Sequence, residues 1–229
     1  MEKLSIIIPV FNEEDKVKEI LKKVLEVKLP FKKEIIIIDD NSTDKTLEKI
    51  KEIAKMNDNF KIITHSKNKG KGSAIRTGLK YATGTIIGVQ DADLEYNPKD
   101  YLKLIEPLLK KEFFVVYGSR FLEDYKHIKN RFYYGNRFLS LITSLLYLHK
   151  ITDMETCYKF FRREVLEGIK LKSKRFEIEP EITSKILKRG YKIKEIPIYY
   201  NPRTEKQGKK IKPKDGILAI WTLIKYRFN

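Results

Sequence analysis

Ile86-Ile87-Gly88-Val89-Gln90-Asp91-Ala92-Asp93-Leu94-Glu95 decides how the rest of the chain is read. An apolar run gives way abruptly to three carboxylates at alternate positions. The run predicts a buried strand, and the acids fall at its carboxyl end. Asp91, Asp93 and Glu95 stand at i, i+2 and i+4, so an extended or gently turning backbone aims all three the same way. Three hard oxygen donors there suit Mg2+ or Mn2+, with positions left open for substrate phosphates. Taken alone, an Asp-x-Asp fits a solvated turn into Asn97-Pro98 better than a metal site, because short motifs recur by chance. The flanking chain has to separate the two readings.

Upstream, residues 4–10 (LSIIIPV), 34–40 (EIIIIDD) and 60–66 read as three more buried strands, with residues 84–90 as the fourth. Residues 13–27, 45–56 and 73–82 between them read as helices, the first carrying Val17, Ile20, Leu21, Val24 and Leu25 at helical spacing. Asn41-Ser42-Thr43-Asp44 supplies turn and N-cap chemistry before the second helix. Asn68-Lys69-Gly70-Lys71-Gly72 is a tight glycine loop before the third. Such alternation predicts right-handed βαβ units, hence an α/β fold whose mostly parallel sheet is covered on both faces. Ligands of these sheets sit beyond the carboxyl ends of the strands. Residues 11–13, 39–40, 70–72 and 91–95 therefore share one rim. Acids gathered there repel each other without a cation or a donor-rich ligand between them.

Downstream, residues 99–109 predict a helix, and residues 113–118 a strand leading to Gly118-Ser119-Arg120. A basic loop spans 121–131. Residues 133–148 form a greasy helix whose stripe is Phe138, Leu141, Ile142, Leu145 and Leu146, with Arg131, Arg137 and Lys150 near its ends. That pattern fits a packed core helix, a helix lying in a membrane interface, or a contact between two copies in a homo-oligomer. Residues 179–189 read as a helix, 192–200 as a strand and 201–214 as a very basic loop. Ile217, Ile220, Trp221 and Ile224 then recur at helical spacing, closed by the interfacial types Tyr226, Arg227 and Phe228.

The composition sets limits. A chain of 229 residues, 41% hydrophobic and 34% charged, is globular and suits one large domain. Its net charge of +17 implies an anionic partner. Cys157 is the only cysteine, which rules out an internal disulfide and suits a reducing compartment. The start lacks a basic segment followed by an apolar one, and no apolar run approaches the ~20 residues that span a bilayer. A cytoplasmic protein without a transmembrane helix is the expectation. His65, His127 and His149 have no metal-ligand spacing. Neither a P-loop nor a dinucleotide fingerprint is present, and no serine sits in a nucleophile elbow. Aromatic and basic residues do not interleave as on an RNA-binding sheet, so nucleic acid is not the expected partner.

Pro9-Val10-Phe11-Asn12-Glu13, Asp39-Asp40-Asn41-Ser42-Thr43-Asp44-Lys45-Thr46, Asn68-Lys69-Gly70-Lys71-Gly72, Asp91-Ala92-Asp93 and Gly118-Ser119-Arg120 come in an order that resembles glycosyltransferase family 2. Asp153-Met154-Glu155-Thr156-Cys157-Tyr158-Lys159, and Pro202-Arg203 through Gly208-Lys209-Lys210-Ile211, resemble later motifs of its dolichyl-phosphate (polyprenyl-phosphate) mannose and glucose synthases. The resemblance implies a GT-A type, Rossmann-like domain over residues 1–229, with C-terminal amphipathic interface helices. Residues 1–120 would be the nucleotide-sugar half and 121–229 the acceptor and membrane-interface half. The implied activity is inverting, metal-dependent transfer of a sugar from GDP-mannose or a UDP-hexose to a polyprenyl or dolichyl phosphate. It would take place at an anionic membrane surface, with the protein peripheral on the cytoplasmic face.

Site residues carry over where they match. Pro9, Phe11, Glu13, Ile38 and Asp40, with Asp91 and Ala92, would hold the nucleotide. Asp91, Asp93 and Glu95 would ligate Mg2+ or Mn2+, although many relatives have Gln at the place of Glu95. Arg120 would reach the sugar or the acceptor phosphate, Arg131 the acceptor phosphate, and Arg203 and Lys209 the leaving diphosphate. Asp93, Arg120 and Arg203 are the expected catalytic set. Some relatives carry transmembrane helices after the catalytic unit, whereas this chain ends at Asn229 and is expected to lack such an anchor. A phosphate acceptor needs no side-chain base. A lipid or glycan hydroxyl would need one, for which Asp153 and Glu155 are the candidates. A non-catalytic protein docking on an anionic surface would explain the charge but leave the strand-end acids unexplained.

Overall fold

The structure, a computed structural model, describes residues 2–55, 57–122, 131–203 and 213–229. Seven strands form one sheet: Lys3–Val10 (β1), Lys32–Asp39 (β2), Phe60–Thr64 (β3), Ile86–Val89 (β4), Val115–Ser119 (β5), Lys159–Arg162 (β6) and Ile193–Pro197 (β7). Their order is β3-β2-β1-β4-β6-β5-β7. All pairings are parallel except the two that β6 makes, antiparallel to β4 and to β5. The expected mostly parallel sheet is present. β6 itself was not anticipated from the sequence, and it sits between the strand ending in Asp91 and the strand ending in Arg120.

The continuous isoleucine runs have their cause in this arrangement. Along β1, Ile6 and Ile8 enter the large core while Ile7 packs into a smaller cluster on the opposite face. In β2, Ile35 and Ile37 face one way, Ile36 and Ile38 the other. A strand buried on both faces has no polar alternation to show. The close approach of β6 fixes Gly88 in β4: a β-carbon built there would lie 2.4 Å from Phe160 Cε1.

Helices Val17–Glu26 (α1), Thr46–Ala54 (α2) and Lys71–Tyr81 (α3) connect the first four strands, and Tyr101–Leu109 (α4) precedes β5. The first helix begins four residues later than its pattern suggests, because the Lys16 and Val17 amides both turn back onto the Glu13 carbonyl. Arg131–Tyr147 (α5), Arg163–Leu166 (α6), Ile178–Lys188 (α7) and Pro213–Phe228 (α8) complete the described α-helices. α5 and α8 lie side by side, with Tyr147 Oη donating to the Leu223 carbonyl at 2.8 Å. Among the described residues, no helix is long and apolar enough to cross a membrane.

Candidate functional site

β1 has β2 on one side and β4 on the other, so the connections leave in opposite directions from the β1–β4 boundary. A crevice opens at the carboxyl ends of strands at such a switch point. Here it is a cleft of about 660 Å³. From the first half of the chain it takes Pro9 at the end of β1, Phe11 and Glu13 after it, Asp40 after β2, the 68–71 loop, and Asp91, Ala92, Asp93 and Glu95 after β4. Because β6 runs antiparallel, the segment that precedes it reaches the same rim and contributes Glu155. Arg120 after β5, Glu179 of α7 and Arg203 close the wall.

The acids after β4 do not all point one way. Leu94 has a φ of 64°, and the Glu95 amide donates to Asp93 Oδ1 at 3.1 Å, so the chain turns tightly there. Arg203 then gathers three carboxylates: Nη2 lies 2.6 Å from Asp93 Oδ2, Nε 3.3 Å from Glu95 Oε1, and Nη1 3.3 Å from Glu13 Oε1. Asp91 turns instead to Lys71 Nζ at 2.8 Å. Burial, then the Asp91 and Glu95 charges, push the Asp93 carboxyl up to about 7 against the pull of Arg203. Lys71 is pushed up in spite of burial, by Asp91 and Glu179. Among the described residues, no group of three His, Cys, Asp or Glu side chains is arranged to hold a metal ion. The donor set nonetheless fits a hard divalent cation: carboxylate oxygens at an open cleft, paired with the side-chain cations of Lys71 and Arg203.

Asp40 lines the cleft, but its oxygens are engaged. They accept from the Lys69 and Gly70 amides at 2.9 and 2.6 Å, and His65 Nδ1 stands 2.6 Å away. Asp40 thereby pins the glycine loop, in which Gly70 has a φ of 88° and a β-carbon built there would lie 2.5 Å from the Lys174 carbonyl oxygen. Ile38 is wholly buried on the far side of β2 and does not line the cleft. Arg120 is held by Asp153: Nε and Nη2 donate to its two oxygens at 2.7 and 2.6 Å, and the Arg120 amide adds a third bond at 3.0 Å. Arg131 lies at the exposed start of α5, outside the cleft wall. Lys209 and His127 lie outside the described residues.

Three contributors escaped the sequence reading. Lys71 was placed on the rim with the glycine loop but given no role of its own. Glu179 was read only as the start of a helix, yet it is 4% exposed, with Oε2 2.6 Å from Lys159 Nζ and Oε1 3.1 Å from Lys71 Nζ, out of hydrogen-bond alignment. His65 looked like an ordinary packed histidine. The available signal was Glu177-x-Glu179-x-Glu181 in the first turn of a helix, directly after the basic stretch 170–175.

The family model for glycosyl transferase family 2 matches residues 5–170. A dolichol-phosphate mannosyltransferase of Pyrococcus furiosus is 32% identical over 213 residues, which cover 90% of this chain and 59% of that protein. The chain thus spans less than two thirds of that relative. A UDP-N-acetylglucosamine–dolichyl-phosphate N-acetylglucosaminyltransferase of Methanococcus voltae is 33% identical over 214 residues, 85% of this chain and 84% of that one. Among solved structures, glucosyl-3-phosphoglycerate synthase of Mycobacterium tuberculosis, in complex with Mn2+, UDP and glucosyl-3-phosphoglycerate, superposes with a TM-score of 0.77 at 17% identity. The match covers 99% of this chain and 80% of that one, a likeness of fold. The ordered motifs, the cleft at the switch point and the family match agree: the chain belongs to glycosyl transferase family 2.

Proposed function

We propose that this glycosyltransferase moves a hexosyl group, with inversion, from a nucleoside-diphosphate sugar to a polyprenyl phosphate at an anionic membrane surface. The observation that carries the reading is the cleft floor, where, among the described residues, Asp91 is ion-paired to Lys71 and Asp93 and Glu95 are ion-paired to Arg203. These three carboxylates would hold Mg2+ or Mn2+. Arg203 and Lys71 are then free to turn toward diphosphate oxygens, as basic side chains do in charge-assisted pairs. The bound ion would supply Lewis-acid stabilisation of the leaving group. The names of the two archaeal relatives support a dolichyl-phosphate acceptor, and the Mn2+ and UDP in the mycobacterial structure support a metal and a nucleotide donor.

Pro9, Phe11 and Glu13 would take the nucleoside, while Asp40 keeps the glycine loop in place beside it. Arg120, fixed by Asp153, would offer its remaining N–H groups to the sugar or acceptor phosphate. Transfer separates charge, so cations already aimed at the departing diphosphate contribute most to the rate. A phosphate acceptor is ionised near neutral pH and needs no base, which suits an Asp153 whose oxygens are both occupied. A membrane location is supported by α5 and α8. Phe138, Leu141 and Leu145 on one, and Ile217 and Trp221 on the other, are exposed apolar residues near Arg137, Lys225 and Arg227.

A second reading, transfer to a hydroxyl with Glu155 as base, has one observation in its favour: Glu155 lines the cleft, and burial holds its carboxyl up to about 7. The test is a screen of labelled GDP-mannose, UDP-glucose and UDP-N-acetylglucosamine with polyprenyl phosphate, with and without Mg2+ or Mn2+. Metal-dependent, chloroform-extractable label from one donor is expected. Label appearing only in water-soluble product would refute the lipid acceptor.

A further inference from the structure

Glu155 Oε1 is buried on the cleft wall without a hydrogen-bond donor. The neighbouring cations explain why. Lys159 Nζ spends its three protons on the Met154 carbonyl, the Thr156 carbonyl and Glu179 Oε2. Arg120 is bidentate to Asp153. Glu179, the other cleft-wall acid with an unbonded oxygen, at least has Lys71 beside it. Glu155 has neither a hydrogen bond nor an ion pair to a described residue, and the nearby cations Arg120 and Lys159 are both engaged elsewhere. A carboxyl oxygen kept that way in a folded interior is unfavourable and calls for a donor from outside the chain.

The topology says which part of a ligand would bring that donor. Across the sheet the rim runs from Asp40 (β2) through Phe11 (β1) and Asp91 (β4) to Glu155 (before β6) and Arg120 (after β5). With the nucleoside at the β1–β2 end and the diphosphate at Asp91, the next group along the rim is the sugar. Tyr96 and Phe176 also line this cleft. Aromatic rings covering the C–H face of a pyranose, with a carboxyl accepting from its hydroxyls, are a complementary pair of contacts.

We propose that Glu155 accepts a hydrogen bond from a hydroxyl of the transferred hexose and thereby selects among donor sugars. The proposal rests on the glycosyl-transfer reading and adds the residue that reads the sugar.

The experiment uses the best donor among GDP-mannose, UDP-glucose and UDP-N-acetylglucosamine, together with its 3-, 4- and 6-deoxy forms. Each is assayed with the wild-type chain, Glu155→Ala and Glu155→Gln, and binding of the free nucleoside diphosphate is measured by calorimetry. Glu155→Ala should lower kcat/KM for the parent donor by about 10- to 100-fold. One deoxy donor should lose as much with the wild-type enzyme and lose nothing further in the variant. Glu155→Gln, which keeps an acceptor oxygen, should fall between. Nucleoside diphosphate affinity should be unchanged in both variants, which also reports that they fold. If Glu155→Ala penalises every deoxy donor as much as the parent, no hydroxyl is read and the proposal fails. Loss of kcat in Glu155→Gln by more than about 1,000-fold at constant KM for all donors would make Glu155 a base instead. Absence of wild-type transfer from any donor would overturn the glycosyl-transfer reading itself, and this proposal with it.

Discussion

Replacing Glu155 by Gln should change how stability depends on pH, and the size of the effect follows from the burial of this one carboxyl. Burial raises its pKa from an ordinary 4.5 to about 7. Lys159 and Arg120 work against that rise, while Glu179 and Asp153 reinforce it. In the unfolded chain the group ionises near 4.5. Between the two values the folded protein holds a proton that the unfolded chain has released, so this group's contribution falls as pH rises from about 4.5 to about 7 and is flat above. At about 1.36 kcal/mol per pH unit, the loss by pH 8 is about 3 kcal/mol. Glu155→Gln cannot ionise and escapes it. The variant should therefore match the wild type near pH 4.5 and exceed it by up to about 3 kcal/mol at pH 8. For a chain of this size that is roughly 6–12 °C in thermal midpoint. A poorly seated amide would lower the variant's stability at every pH without altering the slope. Urea unfolding at pH 5, 6, 7 and 8 measures the difference, in which other titrating groups largely cancel. Parallel stability curves would show that Glu155 is solvated and ionised in the folded protein, and the account of its isolation would be wrong.

Other substitutions test separate parts of the account. Asp91→Ala or Asp93→Ala should abolish metal-dependent transfer while leaving circular dichroism and unfolding cooperativity intact, and full activity in either would remove that acid from the site. Gly88→Ala should destabilise by about 1–3 kcal/mol in urea unfolding, because its methyl would stand 2.4 Å from the Phe160 ring; no loss would mean that β6 yields easily. Ile217 and Trp221 are 71% and 60% exposed. Replacing both by Ser should leave the thermal midpoint nearly unchanged and reduce co-sedimentation with anionic liposomes, whereas unchanged co-sedimentation would take α8 out of the membrane contact.

The parallel half of the fold was legible because its strands are buried on both faces. Ile6 to Ile8 and Ile35 to Ile38 could hardly be anything but inner strands of a covered sheet. β6 was not legible. It has four residues, and it opens on a lysine, which reads as surface until Met154, Thr156 and Glu179 are brought to its ammonium group by the fold. The same non-locality limited the site. The acids after β1, β2 and β4 could be assigned to one rim by a topological rule. Their partners could not, since Arg203 lies 110 positions from Asp93 and Glu179 joins the cleft only through α7. Asp40 marks the boundary between the two cases. Its position on the rim was readable, but its bonds to the Lys69 and Gly70 amides and to His65 depend on where β3 and the glycine loop come to lie.

The charge distribution separates an enzyme from a protein that merely adheres to anionic surfaces. A chain with a net charge of +17 has basic side chains in excess, and simple adhesion would spread them over its exposed faces. Here the cleft instead draws acids together among basic residues that also line it. A single guanidinium, that of Arg203, is shared among Glu13, Asp93 and Glu95, and the ammonium of Lys71 is divided between Asp91 and Glu179. Each cation carries one charge against two or three carboxylates, and it offsets their mutual repulsion less than a divalent ion would. Holding so many carboxylates together within a basic protein costs stability that a purely adhesive surface would have no reason to spend. The arrangement has a use if the acids receive a cation and their present partners turn to an anion, since both changes relieve the same crowding. A floor of this kind would favour metal and diphosphate together over either alone, and that cooperativity is what distinguishes a nucleotide-sugar site from a basic patch.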